Sequence, residues 1–196
     1  MKSRMGKMSM FALLLGTTAS AVAVAAKSVA TEAKLNGLKL AVVKNAIGSN
    51  EIVEGKYQLG LSKLSSAPKD LASSYNQEMG MCVANIKLNK LSLADSACSN
   101  AIRQIDKVNG PTHQKQYLKS LAYSNRGIVR YLADDSLGAY EDFTSALLVD
   151  NNTIVKGNLL TFKQMAFTTN HQSTARNNAI YQVKHYKTQT TASLSE

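Results

Sequence analysis

Side chains able to do chemistry are few in this 196-residue chain, and their spacing argues against catalysis. Of the three histidines, His113 sits beside a turn, and His171 and His185 sit in a polar tail. None has a carboxylate at a local spacing that would orient an imidazole, and no pair has the spacing of a metal site. The acidic pairs Asp134-Asp135 and Glu141-Asp142 read as a helix–helix turn and a solvated helix face. Serine and threonine are abundant, but there is no G-x-S-x-G elbow to expose a nucleophile and no glycine-rich phosphate loop. Cys82 and Cys98 are too few for a four-cysteine zinc site and lack the C-x-x-C spacing of a redox pair. They remain candidates for a cross-link or for two small buried hydrophobes. No catalytic residue, metal ligand or cofactor is assigned, and the chain reads as non-catalytic.

The compartment is written in the first 26 residues. Lys2, Arg4 and Lys7 form a basic start, and no acidic residue occurs before Glu32. Met8 to Ala26 is then polar-poor and ends in small residues, with Ala23-Val24-Ala25 and Val24-Ala25-Ala26 both fitting a small-x-small cleavage pattern. Residues 1–26 therefore read as a secretory signal peptide, which makes the mature chain periplasmic or secreted. The alternative is an uncleaved membrane anchor, diluted by Gly16, Thr17, Thr18 and Ser20. No cysteine lies near the cleavage region to carry a lipid. The net charge is +10, and cleavage removes three positive charges and no negative one. The remaining basic residues form no run and do not interleave with aromatics, so nucleic acid is not expected as a partner and a membrane surface is a weak one.

The hydrophobic fraction of 44% is enough for one domain's core, and the apolar residues recur at helical rather than strand spacing. Ala94, Ala97, Cys98, Ala101, Ile102 and Ile105 share one helix face, and Ala139, Phe143, Ala146 and Leu147 share another. Two windows, 80–102 and 125–147, align. In each a small residue lies twelve positions before an alanine, Cys82 before Ala94 and Gly127 before Ala139. A core residue follows four later, Cys98 or Phe143, and a further alanine three after that, Ala101 or Ala146. The pattern resembles the tetratricopeptide repeat, a 34-residue helix–turn–helix unit. The later window is the closer match, and the earlier one departs by carrying Cys82 and Cys98 at two signature positions.

A third echo runs from Gly55 to Pro68 and is similar to a repeat's second helix, behind a shortened first helix near 50–54. The resemblance implies an all-α fold: a short α-solenoid of antiparallel helix hairpins, about two and a half repeats over 50–167. Asn109-Gly110-Pro111-Thr112 marks a turn before an extra-long helix to Leu132. Thr153 to Met165 is expected to cap the last repeat. Residues 27–49 are ambiguous. The tail, 168–196, is too rich in Thr, Ser, Asn and Gln to bury a core and is expected to be mobile.

In the repeat containing both cysteines, the turn near Asn89–Leu91 stands about midway between them. At about 1.5 Å per residue both Cα atoms lie roughly 10 Å from it, facing across the hairpin. A Cys82–Cys98 disulfide is therefore expected, and an oxidising compartment favours it.

Tetratricopeptide proteins present the inner faces of their first helices as a groove for an extended peptide or partner helix. Carried over by register, the resemblance implies a groove of Asn76, Met79, Val83, Ile86 and Lys87 followed by Leu121, Ser124, Asn125, Ile128, Tyr131 and Leu132. This surface is more apolar than a clamp for a peptide carboxylate and lacks the paired Lys/Arg–Asn pattern of such clamps. It admits a hydrophobic segment of a protein partner, or cover by residues 27–49, the tail or a second copy. Two functions follow: an exported adaptor that holds an envelope protein, or a self-associating structural module whose groove is filled from within, as a homo-oligomer or by its own chain.

Overall fold

In the computed structural model, residues 31–68 and 74–166 are described. The expected signal peptide (1–26) and polar tail (168–196), with His171 and His185, lie outside the described residues. The fold is all-α. Helix α1 covers 31–35, followed by irregular chain to α2 (Ser49–Val53), α3 (Tyr57–Ser66), α4 (Ser74–Lys87) and α5 (Leu91–Gln104). A single 3-10 turn (Ile105–Lys107) leads to α6 (Thr112–Leu132), α7 (Ser136–Val149) and α8 (153–166).

Three of these connections are the same structure. Gly55, Asn89 and Asp134 all adopt left-handed backbone, with φ of 79°, 55° and 63°. At each, the next amide bonds back five residues: Lys56 to the Glu51 carbonyl, Lys90 to Asn85, and Asp135 to Arg130, at 2.7–2.9 Å. The left-handed residue itself bonds back three, to Ile52, Ile86 and Tyr131. Glycine has no steric penalty there, and Asn and Asp tolerate it better than other side chains. Each turn folds one helix back on the last, giving the hairpins α2–α3, α4–α5 and α6–α7. Gly55 and Asn89 are 34 residues apart, and Asn89 and Asp134 are 45 apart. The excess in the second interval is taken up by the 3-10 turn, the loop through Pro111 and the 21-residue length of α6.

Small residues let the paired helices approach. Gly60, Ala94 and Ala139 each stand four residues after the amide that closes the turn, and each amide bonds to that closing residue's carbonyl. All three are buried. Ala101 and Ala146, further along α5 and α7, are fully buried as well. Opposite Ala139, a Cβ on Gly127 would stand 3.1 Å from the Phe143 ring, closer than an ordinary contact. Phe143 is fully buried and meets Phe162 of α8 with ring centroids 5.2 Å apart, so α8 closes this end of the core. Asn152 caps α8, its carboxamide oxygen accepting from the Ile154 and Val155 amides at 3.1 Å. Cys82 and Cys98 are disulfide-bonded across the α4–α5 hairpin, with Cα atoms 5.1 Å apart.

Candidate functional site

Residues 27–49, set apart from the helical domain in the sequence, are not separate from it where they are described. Between 31 and 48 they lie along the face formed by α4, α6 and α8. Leu35 clusters with Ile86, Ile128 and Leu132, and Leu38 and Leu40 pack against the same cluster. Ala41 and Val43 join Met79 and Leu121, while Leu40 and Val42 pack on Val83. The expected groove residues other than Asn76 thus come together on one surface, and that surface is covered. Met79, Val83, Ile86, Leu121, Ser124, Asn125, Ile128 and Leu132 are buried, and Asn76, Lys87 and Tyr131 are half-buried. Of the occupants the sequence leaves open, the chain's own residues 31–48 are the one that lies over this surface.

Two carboxamides hold the segment by its main chain. Asn125 of α6 accepts the Ala41 amide at 2.9 Å and donates to the Ala41 carbonyl at 2.8 Å. Asn158 of α8 does the same for Lys39, accepting its amide at 2.7 Å and donating to its carbonyl at 2.8 Å. The Asn158 amide also donates to the Ser124 hydroxyl at 2.9 Å. Residues two apart present N–H and C=O groups to the same side only when the chain is extended, so the two asparagines act as the edge of a neighbouring strand would. Both are fully buried, where an unpaired carboxamide would be costly.

The α1 end is held by charge. Glu32 pairs with Lys87 at 3.1 Å, Lys34 with Asp134 at 2.5 Å, and the Thr31 hydroxyl bonds to Asn89 at 3.1 Å. Lys34 also stands over the Tyr131 ring, 5.8 Å from its centroid. Tyr131 in turn packs edge-on against Phe162 and donates to the Met165 sulfur at 3.6 Å.

Sequence reasoning missed Asn158, which lay in a helix assigned only to capping. Its signal was present: it follows Ser124 by 34 residues, one repeat length. Asp142 was misplaced on a solvated face. Glu141 is exposed, but Asp142 is buried and takes both forks of the Arg126 guanidinium at 2.7 and 2.8 Å, with Arg130 at 3.1 Å. The Asp142 carboxylate raises the Arg126 pKa against the opposing effect of burial, and Arg126 also donates to Ser99 at 3.0 Å. This cluster ties α5, α6 and α7 together and is internally neutralised apart from Arg130, which reaches Asp95 at 3.8 Å.

Among the described residues no group of three or more His, Cys, Asp or Glu side chains could hold a metal, and no helix is long and apolar enough to cross a membrane. Comparison with family models, with curated proteins and with solved structures finds no match.

Proposed function

We propose that the chain is a non-catalytic protein–protein interaction module of the cell envelope, built as a tetratricopeptide-like stack whose groove is filled at rest by its own segment 31–48. The observation that carries this reading is the pair of buried asparagines bonded to the main chain of Lys39 and Ala41. A polypeptide seated by its backbone across successive helices is how a peptide groove is used. Support for the repeat type comes from the turn that recurs after 34 residues with the same bonding and a small residue, Gly60 or Ala94, four positions after the closing amide. Support for the envelope comes from the leader-like first 26 residues and the disulfide, which belongs to an oxidising compartment.

The test is a photo-crosslinking side chain at Tyr131, in cells expressing the full chain, with each adduct identified after purification. An interaction module gives a reproducible adduct to a second protein besides any adduct to residues 31–48. Adducts to the chain's own segment alone, in every growth condition, would make the groove core and the chain a structural module.

A further inference from the structure

We infer that residues 31–43 are an exchangeable internal ligand: the groove releases them and accepts, in trans, an extended segment of a different protein with a small residue facing Asn125 and aliphatic residues beside it. This rests on the reading of the chain as an interaction module and adds how its site is gated and what it selects.

Around Lys39 and Ala41 the polar grip on the segment does not read side-chain identity. All four bonds that Asn125 and Asn158 make to the segment go to its main-chain atoms. The Lys39 side chain is exposed and unread, whereas Ala41 is 7% exposed, so size alone is selected at that position. Leu38, Leu40 and Val42 supply the apolar flanks. An occupant must bring an N–H and a C=O at two positions two residues apart, or it leaves two fully buried carboxamides unpaired. An acyl chain fills the apolar part but offers no such groups. An extended polypeptide offers both.

Release needs no rebuilding of the stack. The segment continues into α2 through Lys44 and Asn45, which are exposed, and Asn45 has positive φ. Beyond them Gly48 is buried against Gly60 and Leu64 and stays anchored. At the other end the ion pairs of Glu32 and Lys34 are largely exposed and weaken with salt. The tether sets the threshold. A short linker holds its ligand at an effective concentration on the order of 1 mM, so an equivalent segment in trans displaces half of it only near that concentration.

The experiment uses the purified, oxidised full-length mature chain and a fluorescent peptide of residues 31–48 as the probe. Ala41→Pro in the chain removes the amide that Asn125 accepts and leaves every groove residue intact. Leu35→Asp loosens the α1 end and serves as a second release variant. Half-saturation of the peptide is expected near 1 mM for wild type and at least about tenfold lower for each variant. The same peptide carrying Ala41→Pro is expected not to bind.

Failure of the peptide to bind either variant overturns the inference. So does collapse of helicity in both variants, because the segment is then core rather than ligand. A wild-type dimer with exchanged segments also overturns it and names a second copy as the occupant. None of these results touches the crosslinking outcome at Tyr131, which decides the underlying function separately.

Discussion

Removing the Asn125 carboxamide should loosen one segment of the chain and leave its helices standing. In Asn125→Ala the Ala41 amide and carbonyl lose partners at 2.9 and 2.8 Å at a residue that is only 7% exposed. Each unpaired buried group costs about 1–3 kcal/mol, so the two together take about 2–6 kcal/mol from the docking of residues 31–48. At about 1.4 kcal/mol per factor of ten, protection of the Lys39 and Ala41 amides should fall by roughly thirty- to twenty-thousandfold in hydrogen exchange. Far-UV helicity should hold, since alanine is the better helix former at a helical position. Asn158→Ala should act in the same way on Lys39 and also strip the Ser124 hydroxyl of a partner. Because both side chains hold one short segment, the double variant should cost less than the two single variants added: once the segment has left, the second clamp has nothing to hold. Unchanged protection at Lys39 and Ala41 would refute the account. Equal loss of protection throughout α4 and α6 would refute it differently, by making the segment inseparable from the fold.

Further outcomes follow from the packing. In Gly127→Ala the added carbon meets Phe143 at 3.1 Å, so overpacking of about 1–3 kcal/mol outweighs a helix-propensity gain of about 1 kcal/mol; in Gly157→Ala nothing lies within 4 Å and only the gain remains, so denaturant midpoints should move in opposite directions. Opening the Cys82–Cys98 bond, whose residues are 16 apart, should lower stability by about 3 kcal/mol, and a denaturant midpoint unmoved by reductant would show the bond absent in solution. Burial, and after it Tyr117, holds the Tyr75 hydroxyl above its ordinary 10.0, and that hydroxyl donates to the Leu118 carbonyl at 2.6 Å. Its contribution is complete below pH 10.0 and is lost as pH rises above it, because the unfolded chain ionises first; Tyr75→Phe should flatten alkaline unfolding monitored by circular dichroism.

The helices were legible because their packing leaves marks at fixed spacing. Gly127, Ala139, Phe143 and Ala146 are small or large where two helices and a third must meet, and a run of such residues has no other economical cause. The cysteine pair was legible for a related reason, since Cys82 and Cys98 are nearly symmetric about the turn at Asn89. Two features had no such mark, and a third, Asn158, had only its distance of 34 residues from Ser124. The segment 31–48 has no helical period and is seated through its main chain, which carries no residue code. Asn158 reads as one polar residue among many until a partner chain lies against it. Asp142 shares a helix with exposed Glu141, and its partner Arg126 stands 16 residues away on another helix, so local spacing assigns it to solvent.

On the proposed reading, the same two asparagines carry both the resting state and the capacity to bind, which ties the two properties together. A substitution at Asn125 or Asn158 weakens the hold on residues 31–48 and equally weakens the hold on anything that replaces them, so the balance between closed and occupied groove moves little. Changes in residues 31–48 act on one side of that balance only. The side chain at position 39 is free to vary, size at position 41 sets how firmly the segment docks, and Glu32 and Lys34 make the resting state sensitive to salt. Tuning of such a module therefore falls on the segment that fills the groove, while the groove itself stays fixed by its need to satisfy a peptide backbone.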